Sequence, residues 1–169
     1  MELSKVLQYR RSVRHFTNEP VSEEAVNSLL HAAMSGPSAC NCRPWVFYVI
    51  TKPELLQAIR GTTKFTNMNA PLAIIVCGEP GKHIPMVMPD SFWIQDCSAA
   101  TENILLQAVD LELGAVWCGI YPGEKSVEKL RTTLNLPKKH IPLNIIWIGH
   151  PDECPEPRDQ YDEQCVIRL

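Results

Sequence analysis

A mixed α+β domain, in which strands and helices alternate around one sheet in the α/β manner, is the fold class this sequence predicts, and three observations predict it. Short apolar runs rich in β-branched residues, such as Leu72-Ala73-Ile74-Ile75-Val76-Cys77, read as buried strands. Between them stand stretches whose apolar residues recur at the spacing of one helix face. The 169 residues, 45% of them hydrophobic, suffice for one core and leave no room for a second domain of ordinary size, so residues 1–169 are expected to form a single domain.

Taken in order, Ser22 is placed to cap a helix in which Val26, Leu29, Leu30 and Ala33 share a buried face, with Val21 and Val26 spaced as a hydrophobic staple. Gly36-Pro37 ends it. Val46 to Ile50 reads as a strand, and Thr51-Lys52-Pro53 opens a helix to about Arg60, because proline is tolerated in a first turn. After the strand at 72–77, the stretch from Gly78 to Asp90 is broken by Pro80, Pro85 and Pro89 and is expected to be an irregular excursion. From about Ser91 to Leu113 the residues Ile94, Cys97, Thr101, Ile104, Leu105, Ala108 and Leu111 form the stripe of the longest helix, with Gly114 as its stop. Ala115 to Ile120 reads as a strand, Ser126 as the cap of a helix bearing Val127, Leu130 and Leu134, and Leu143 to Ile148 as a last buried strand. From Asp152 onward the chain is polar and proline-broken. Periodicity does not give the strand order.

A net charge of -3 and a pI near 5.9 argue against a general nucleic-acid binder, which shows a basic surplus over a whole face. No apolar run approaches the roughly 20 residues of a membrane span, and Met1-Glu2-Leu3-Ser4-Lys5 lacks the basic-then-apolar pattern of a secretory signal, so the expected location is the cytoplasm. The seven cysteines, an odd count, are expected to be reduced thiols. Cys40 and Cys42 lack a second ligand pair at metal-binding spacing, and no metal site is expected. His15, His31, His83, His140 and His150 are scattered and read as surface or packing residues.

Three segments carry candidate chemistry. Arg10-Arg11-Ser12-Val13-Arg14 concentrates three guanidinium groups and a hydroxyl, a donor cluster suited to a phosphate; read alone it is equally a solvated surface or a partner-binding patch. Gly36-Pro37-Ser38-Ala39-Cys40-Asn41-Cys42-Arg43-Pro44-Trp45 is, by itself, a helix-ending turn. Trp117-Cys118-Gly119-Ile120-Tyr121 is either a plain buried strand or a row of backbone donors that glycine opens to a close approach.

Taken together with Gly114-Ala115-Val116-Trp117-Cys118-Gly119-Ile120 and Pro142-Leu143-Asn144-Ile145-Ile146-Trp147-Ile148-Gly149-His150-Pro151, these segments resemble, in order and over nearly the whole chain, the flavin-dependent nitroreductase family. The resemblance implies a central mixed sheet flanked by helices, and an intertwined homodimer built on the long helix at 91–113, with the tail from about 152 to 169 extending onto the partner subunit. It implies bound FMN, with NADH or NADPH as electron donor and nitro compounds, quinones or similar planar molecules as acceptors, in ping-pong order. Arg10, Arg11, Ser12 and Arg14 would hold the phosphate and ribityl end or the pyrimidine edge of the ring, and Arg158 would reach the phosphate from the tail. Pro37, Ser38, Ala39 and Asn41 would meet the flavin of the other subunit, and Cys118, Gly119 and Ile120 would turn backbone N–H groups toward the ring. No catalytic residue of the chain itself is implied, since the flavin carries the chemistry. A homologue that binds, stores or senses flavin without turnover, or a specialised flavin reductase of the same fold, remains the alternative. Arg43 stands where the family commonly has glutamine, and Met86, Met88, Phe92 and Trp93 are the expected cover of the pocket.

Overall fold

The computed structural model describes residues 1–82 and 91–169. The chain runs α1 (Leu3–Tyr9), α2 (Glu23–Met34), β1 (Trp45–Ile50), α3 (Pro53–Arg60), β2 (Leu72–Gly78), α4 (Phe92–Asp110), β3 (Gly114–Gly119), α5 (Glu124–Leu134) and β4 (Ile141–Gly149). The strands form one sheet in the order β1-β2-β4-β3, and every ladder in it is antiparallel. Among the described residues, the parallel pairing that a mixed sheet implies is confined to one bridge between Ser12 and Ala115, outside the four strands. The expected excursion at 78–90, with His83, Met86 and Met88, falls largely outside the described residues.

The strand period of two sorts β2 onto two faces. Leu72, Ile74 and Val76 meet α2 and α4, together with Ile146 and Ile148 of β4. Ala73, Ile75 and Cys77 meet Leu56 and Ile59 of α3 and Leu130 of α5, together with Ile145 and Trp147. Every residue of β2 is buried, as its position between two strands and two helical layers requires. Ser22 caps α2 by accepting the Ala25 N–H at 3.2 Å, and Pro53 occupies the first turn of α3.

Three boundaries differ from the sequence reading. The long helix ends two residues before the left-handed Glu112 (φ 58°), and Gly114 already belongs to β3. Gly114 is required for packing instead: a Cβ there would lie 2.7 Å from Val13 Cγ1. The last helix is capped by Gly123, which places Ser126 inside it. Helix α1 has no counterpart among the expected elements, because only Val6 of its seven residues is buried and its apolar stripe is thin.

The registers place one end of the sheet. Trp45 of β1 faces Gly78 of β2, Gly78 also faces Ile141 of β4, and Asn144 of β4 faces Gly119 of β3. The turn before β1, the end of β2 and the end of β3 therefore lie at the same end of the sheet, with β1 and β3 at its opposite edges. At that end β4 carries an irregularity: Val76 pairs with Asn144 and Cys77 with Pro142, so Leu143 is the extra residue of a bulge beside a proline that has no N–H to donate.

Gly78 lets Trp93 pack onto this end, since a Cβ there would fall 2.0 Å from the indole Cε3. Gly78→Ala is expected to cost about 1–3 kcal/mol through overpacking, read as a lower urea midpoint. Gly119→Ala, whose Cβ meets nothing within 4 Å, is the control and is expected to leave the midpoint nearly unmoved; equal shifts in the two variants would contradict the packing argument.

Candidate functional site

Strand β3 is at the edge of the sheet, and its backbone donors divide between two sides. The Ile120 N–H is spent on the Leu143 carbonyl at 2.9 Å, and Tyr121 N–H reaches the same oxygen at 3.1 Å. Ile120 is therefore engaged within the sheet and differs from the expected free donor. Because N–H groups alternate along a strand, those of Trp117 and Gly119 point the other way, toward the open edge. Nearer the start of β3 that edge is covered: the Val13 N–H donates to Ala115 O at 3.1 Å. Residues 12–16 thus run along β3 for part of its length and leave its last turn of pleat free.

The arginine motif is distributed by this extended course. Val13 points into the core, while Arg14 turns outward and donates from Nη1 to Ser12 O at 3.2 Å. Arg14 lines a cleft of about 390 Å³ with Lys64, Phe65, Asn67, Met68, Val116, Trp117, Cys118 and Gly119. Arg10 caps α1 and pairs with Glu102 of α4, Nε to Oε1 at 3.3 Å. Arg11 lines a separate cleft beside Val109, Leu113 and Pro151, with its Nε buried and without a partner. Ser12 is exposed, and Arg158 lies in an exposed tail with no regular structure around it.

The segment 61–69 supplies the other wall of the Arg14 cleft. Lys64 Nζ lies 4.8 Å from the centroid of the Phe65 ring. Cys118 fixes this segment to β3, donating its thiol hydrogen to Phe65 O at 3.1 Å. Burial pushes the Cys118 thiol up to about 11, with the Arg14 charge opposing, so it stays protonated and able to donate. All seven cysteines are free. Lys64, Phe65 and Asn67 escaped the sequence reading; the signal was a cation next to an aromatic residue in a stretch without periodicity.

Pro37, Ser38, Ala39 and Asn41 lie elsewhere, in the turn before β1. Cys40, Asn41 and Arg43 are all left-handed, with φ of 49°, 57° and 48°, at a cost of about 1–2 kcal/mol for each non-glycine residue and least for asparagine. Side chains hold the turn: Ser38 Oγ accepts the Arg43 N–H at 3.0 Å, and Asn41 Oδ1 accepts the Arg43 Nε–H at 2.9 Å. Arg43 is thereby drawn back onto its own turn. Within one chain the structure brings together Arg14, Cys118 and Gly119, and keeps Pro37 to Asn41, Arg10, Arg11 and Arg158 apart from them.

Comparison with known proteins agrees with this architecture. The Nitroreductase family model matches residues 7–65 and 62–150. A relative from Methanothermobacter thermautotrophicus, provisionally named NADH dehydrogenase/NAD(P)H nitroreductase, is 42% identical over 165 residues, covering 96% of this chain and 84% of the relative. A crystal structure of a protein from Parabacteroides distasonis with the same provisional name superposes with a TM-score of 0.92 at 34% identity, covering 99% of this chain and 98% of that one. A provisionally named nitroreductase from Desulfovibrio desulfuricans, solved in complex with FMN, gives a TM-score of 0.84 at 26% identity and covers 100% of this chain and 97% of its own. The fold, an antiparallel sheet with helices on both faces, is that of the α+β NAD(P)H-dependent oxidoreductases. The chain belongs to the nitroreductase family.

Glu153, just past the sheet, anchors the arginine segment from the other side. Its Oε1 accepts the Arg14 N–H at 2.6 Å and the His15 N–H at 3.3 Å. The Arg14 N–H, foremost, holds this carboxyl below its usual range; burial opposes it, and the His15 N–H and the charges of His15 and Arg14 add to the lowering. A carboxyl depressed in the folded state gives stability that is fully present above its unfolded pKa and lost as pH falls through the folded value. Wild-type stability is therefore expected to fall as pH drops below the ordinary carboxylate range, and Glu153→Gln to flatten that part of the profile in pH-resolved urea melts; an unchanged slope would refute the anchor.

Proposed function

We propose that this chain is an NAD(P)H-dependent oxidoreductase that holds FMN and reduces small planar acceptors such as nitro compounds and quinones, working as a homodimer in the cytoplasm. The observation that carries the reading is the meeting of Arg14 and Lys64 with the open N–H edge of β3 in one cleft. Two fixed cations suit the negative charge that a flavin bears in its phosphate and, when reduced, in its ring. Backbone donors at the edge suit ring heteroatoms on which that charge develops. Phe65, Met68 and Val116 give the apolar wall a flat ring needs. When bound, FMN supplies hydride transfer from NAD(P)H to the acceptor in ping-pong order.

The chain's own groups bind, orient and exclude water. Arg14 and Lys64 take the negative charge, Gly119 presents its backbone N–H, Cys118, whose own N–H faces β4 like that of Ile120, holds the 61–69 wall through its thiol, and the Ile120 N–H keeps the strand end in place. Arg10, Arg11, Ser12 and Arg158 are assigned to the phosphate end, and Pro37, Ser38, Ala39 and Asn41 to the flavin of a second subunit. Arg10 gives up or shares its Glu102 partner in that assignment. Support for the dimer comes from the apolar side chains that a lone chain leaves in water: Leu3 and Leu7 of α1, Met34 of α2, and Ile167 and Leu169 of the tail are all exposed. The tail, 152–169, is then a strap over the partner.

Purified protein is expected to be yellow, to bleach anaerobically with NADH or NADPH and to regain colour with a quinone or nitroaromatic; colour without bleaching would mean a binding protein that does not turn over. Arg14→Ala is expected to weaken FMN binding by about 1.5–3 kcal/mol, the worth of a hydrogen bond to a charged group, measured by fluorescence titration, and unchanged affinity would contradict the assignment. Sedimentation is expected to give twice the 19.1 kDa chain mass, and removal of 152–169 to weaken both association and FMN retention.

A further inference from the structure

Asp96 stands one turn into α4 with its side chain turned inward, and the residue is 6% exposed. Its Oδ1 accepts the Ala39 N–H at 2.9 Å, while its Oδ2 is buried without a hydrogen-bond partner among the described residues. One neutral donor is poor compensation for a carboxylate withdrawn from water. Packing gives no reason for it, since the neighbouring stripe positions of α4 are Trp93, Cys97, Ala100 and Thr101. The reason lies in what Ala39 belongs to.

The other described hydrogen bonds of the turn run within it: Asn41 N–H to Ser38 O, Cys42 N–H to Ala39 O, the long Cys42 thiol contact to Cys40 O, Arg43 N–H to Ser38 Oγ and Arg43 Nε–H to Asn41 Oδ1. Between Pro37 and Arg43, the Asp96–Ala39 bond is the described one that ties the turn to the body of the protein. Of the next four residues Cys40, Asn41 and Arg43 are left-handed, a conformation that persists only where the surroundings enforce it. The anchor and the strained backbone are therefore parts of one device.

We propose that Asp96 is the positioning residue of the flavin loop: from the core of its own subunit it fixes the backbone of Ala39, and through it the Ser38 hydroxyl and Asn41 amide, in the arrangement that receives the cofactor. The inference rests on the flavin reading given above. Asp96 itself touches no substrate or cofactor; it acts by removing the freedom of the turn before binding, which is the general benefit of preorganisation. The unpaired Oδ2 leaves this carboxylate able to accept a second N–H from the turn without releasing the first.

Two substitutions separate the bond from the charge. Asp96→Ala removes the acceptor, and FMN Kd is expected to rise tenfold or more by fluorescence titration. Asp96→Asn keeps an oxygen for the Ala39 N–H and is expected to bind FMN within about threefold of wild type, a rescue expected of a hydrogen-bond anchor. Should Asp96→Ala fail to fold, Ala39→Pro removes the donor from the other side. Ser38 is already extended (φ -139°, ψ 147°), as a residue before proline must be, and the same rise in Kd is expected. Wild-type affinity in Asp96→Ala or Ala39→Pro, or an Asp96→Asn variant as weak as Asp96→Ala, would overturn the proposal. Amide exchange on the FMN-free protein tests the anchor separately from the flavin reading: protection at 39–43 is expected to drop in Asp96→Ala, and unchanged protection would overturn it. If wild type bound no FMN while exchange still rose in the variant, the flavin reading and the cofactor role of Asp96 would both fall, and the anchor alone would stand.

Discussion

Everything chemical in this fold depends on the edge of β3. An antiparallel strand offers half its N–H groups to each side; β4 takes one half, and the segment beginning at Ser12 covers the other only as far as Ala115. Beyond that point the sheet has donors and no strand to receive them, a condition that proteins otherwise cover or pair. On the proposed reading, an edge left bare next to Arg14 and Lys64 is where a flat, hydrogen-bonding, negatively charged molecule would replace the missing strand. The bulge at Leu143 reinforces this geometry, because one carbonyl there satisfies both Ile120 and Tyr121 and fixes the strand end from behind.

Charge is arranged in keeping with that edge. The chain is acidic overall, yet its arginine motif is not a uniform cationic patch: alternation along an extended segment sends Val13 inward and Arg14 out. Arg10 is half-neutralised by Glu102, and Glu153 binds the backbone of the segment rather than its guanidinium groups. That division matters energetically. A carboxylate paired to the Arg14 side chain would compete with an anionic ligand, whereas one that accepts main-chain N–H groups stiffens the segment and leaves the cation free to bind.

Much of this was legible in the residues, for reasons that can be named. Strand β2 announced itself because a run buried on both faces must be apolar throughout, and α3 because Pro53 can occupy only a first turn. The candidate residues Arg14, Cys118 and Gly119 were legible as motif members and do meet in one cleft. What escaped was set by tertiary geometry. Gly114 reads as a helix stop, yet its lack of a side chain serves Val13, a residue from the far N-terminal part of the chain that no local pattern connects to it. Ser126 has the chemistry of a cap, but Gly123 starts the helix earlier. Lys64 and Phe65 sit in an aperiodic stretch that only the Cys118 thiol draws to the site. Asp96 lies on a helical stripe where polarity looks like an interruption until its partner on another element is seen.

The separation of the two motif loops within one chain completes the argument. Arg14 and Gly119 occupy the β3 edge of the sheet, and the turn at 37–43, bonded to Asp96 of α4, leads into β1 at the opposite edge. They belong to opposite edges of the sheet, because β4 and β2 stand between β3 and β1. Two loops built from such particular residues, one of them strained, make chemical sense if each serves a site that a second copy completes. The same symmetry then gives two equivalent sites, each with a cation wall from one subunit and a preorganised turn from the other. On this view the apolar surfaces of α1 and α2 and the chain beyond Pro151 are not accessories to the cleft; they are what brings its halves together.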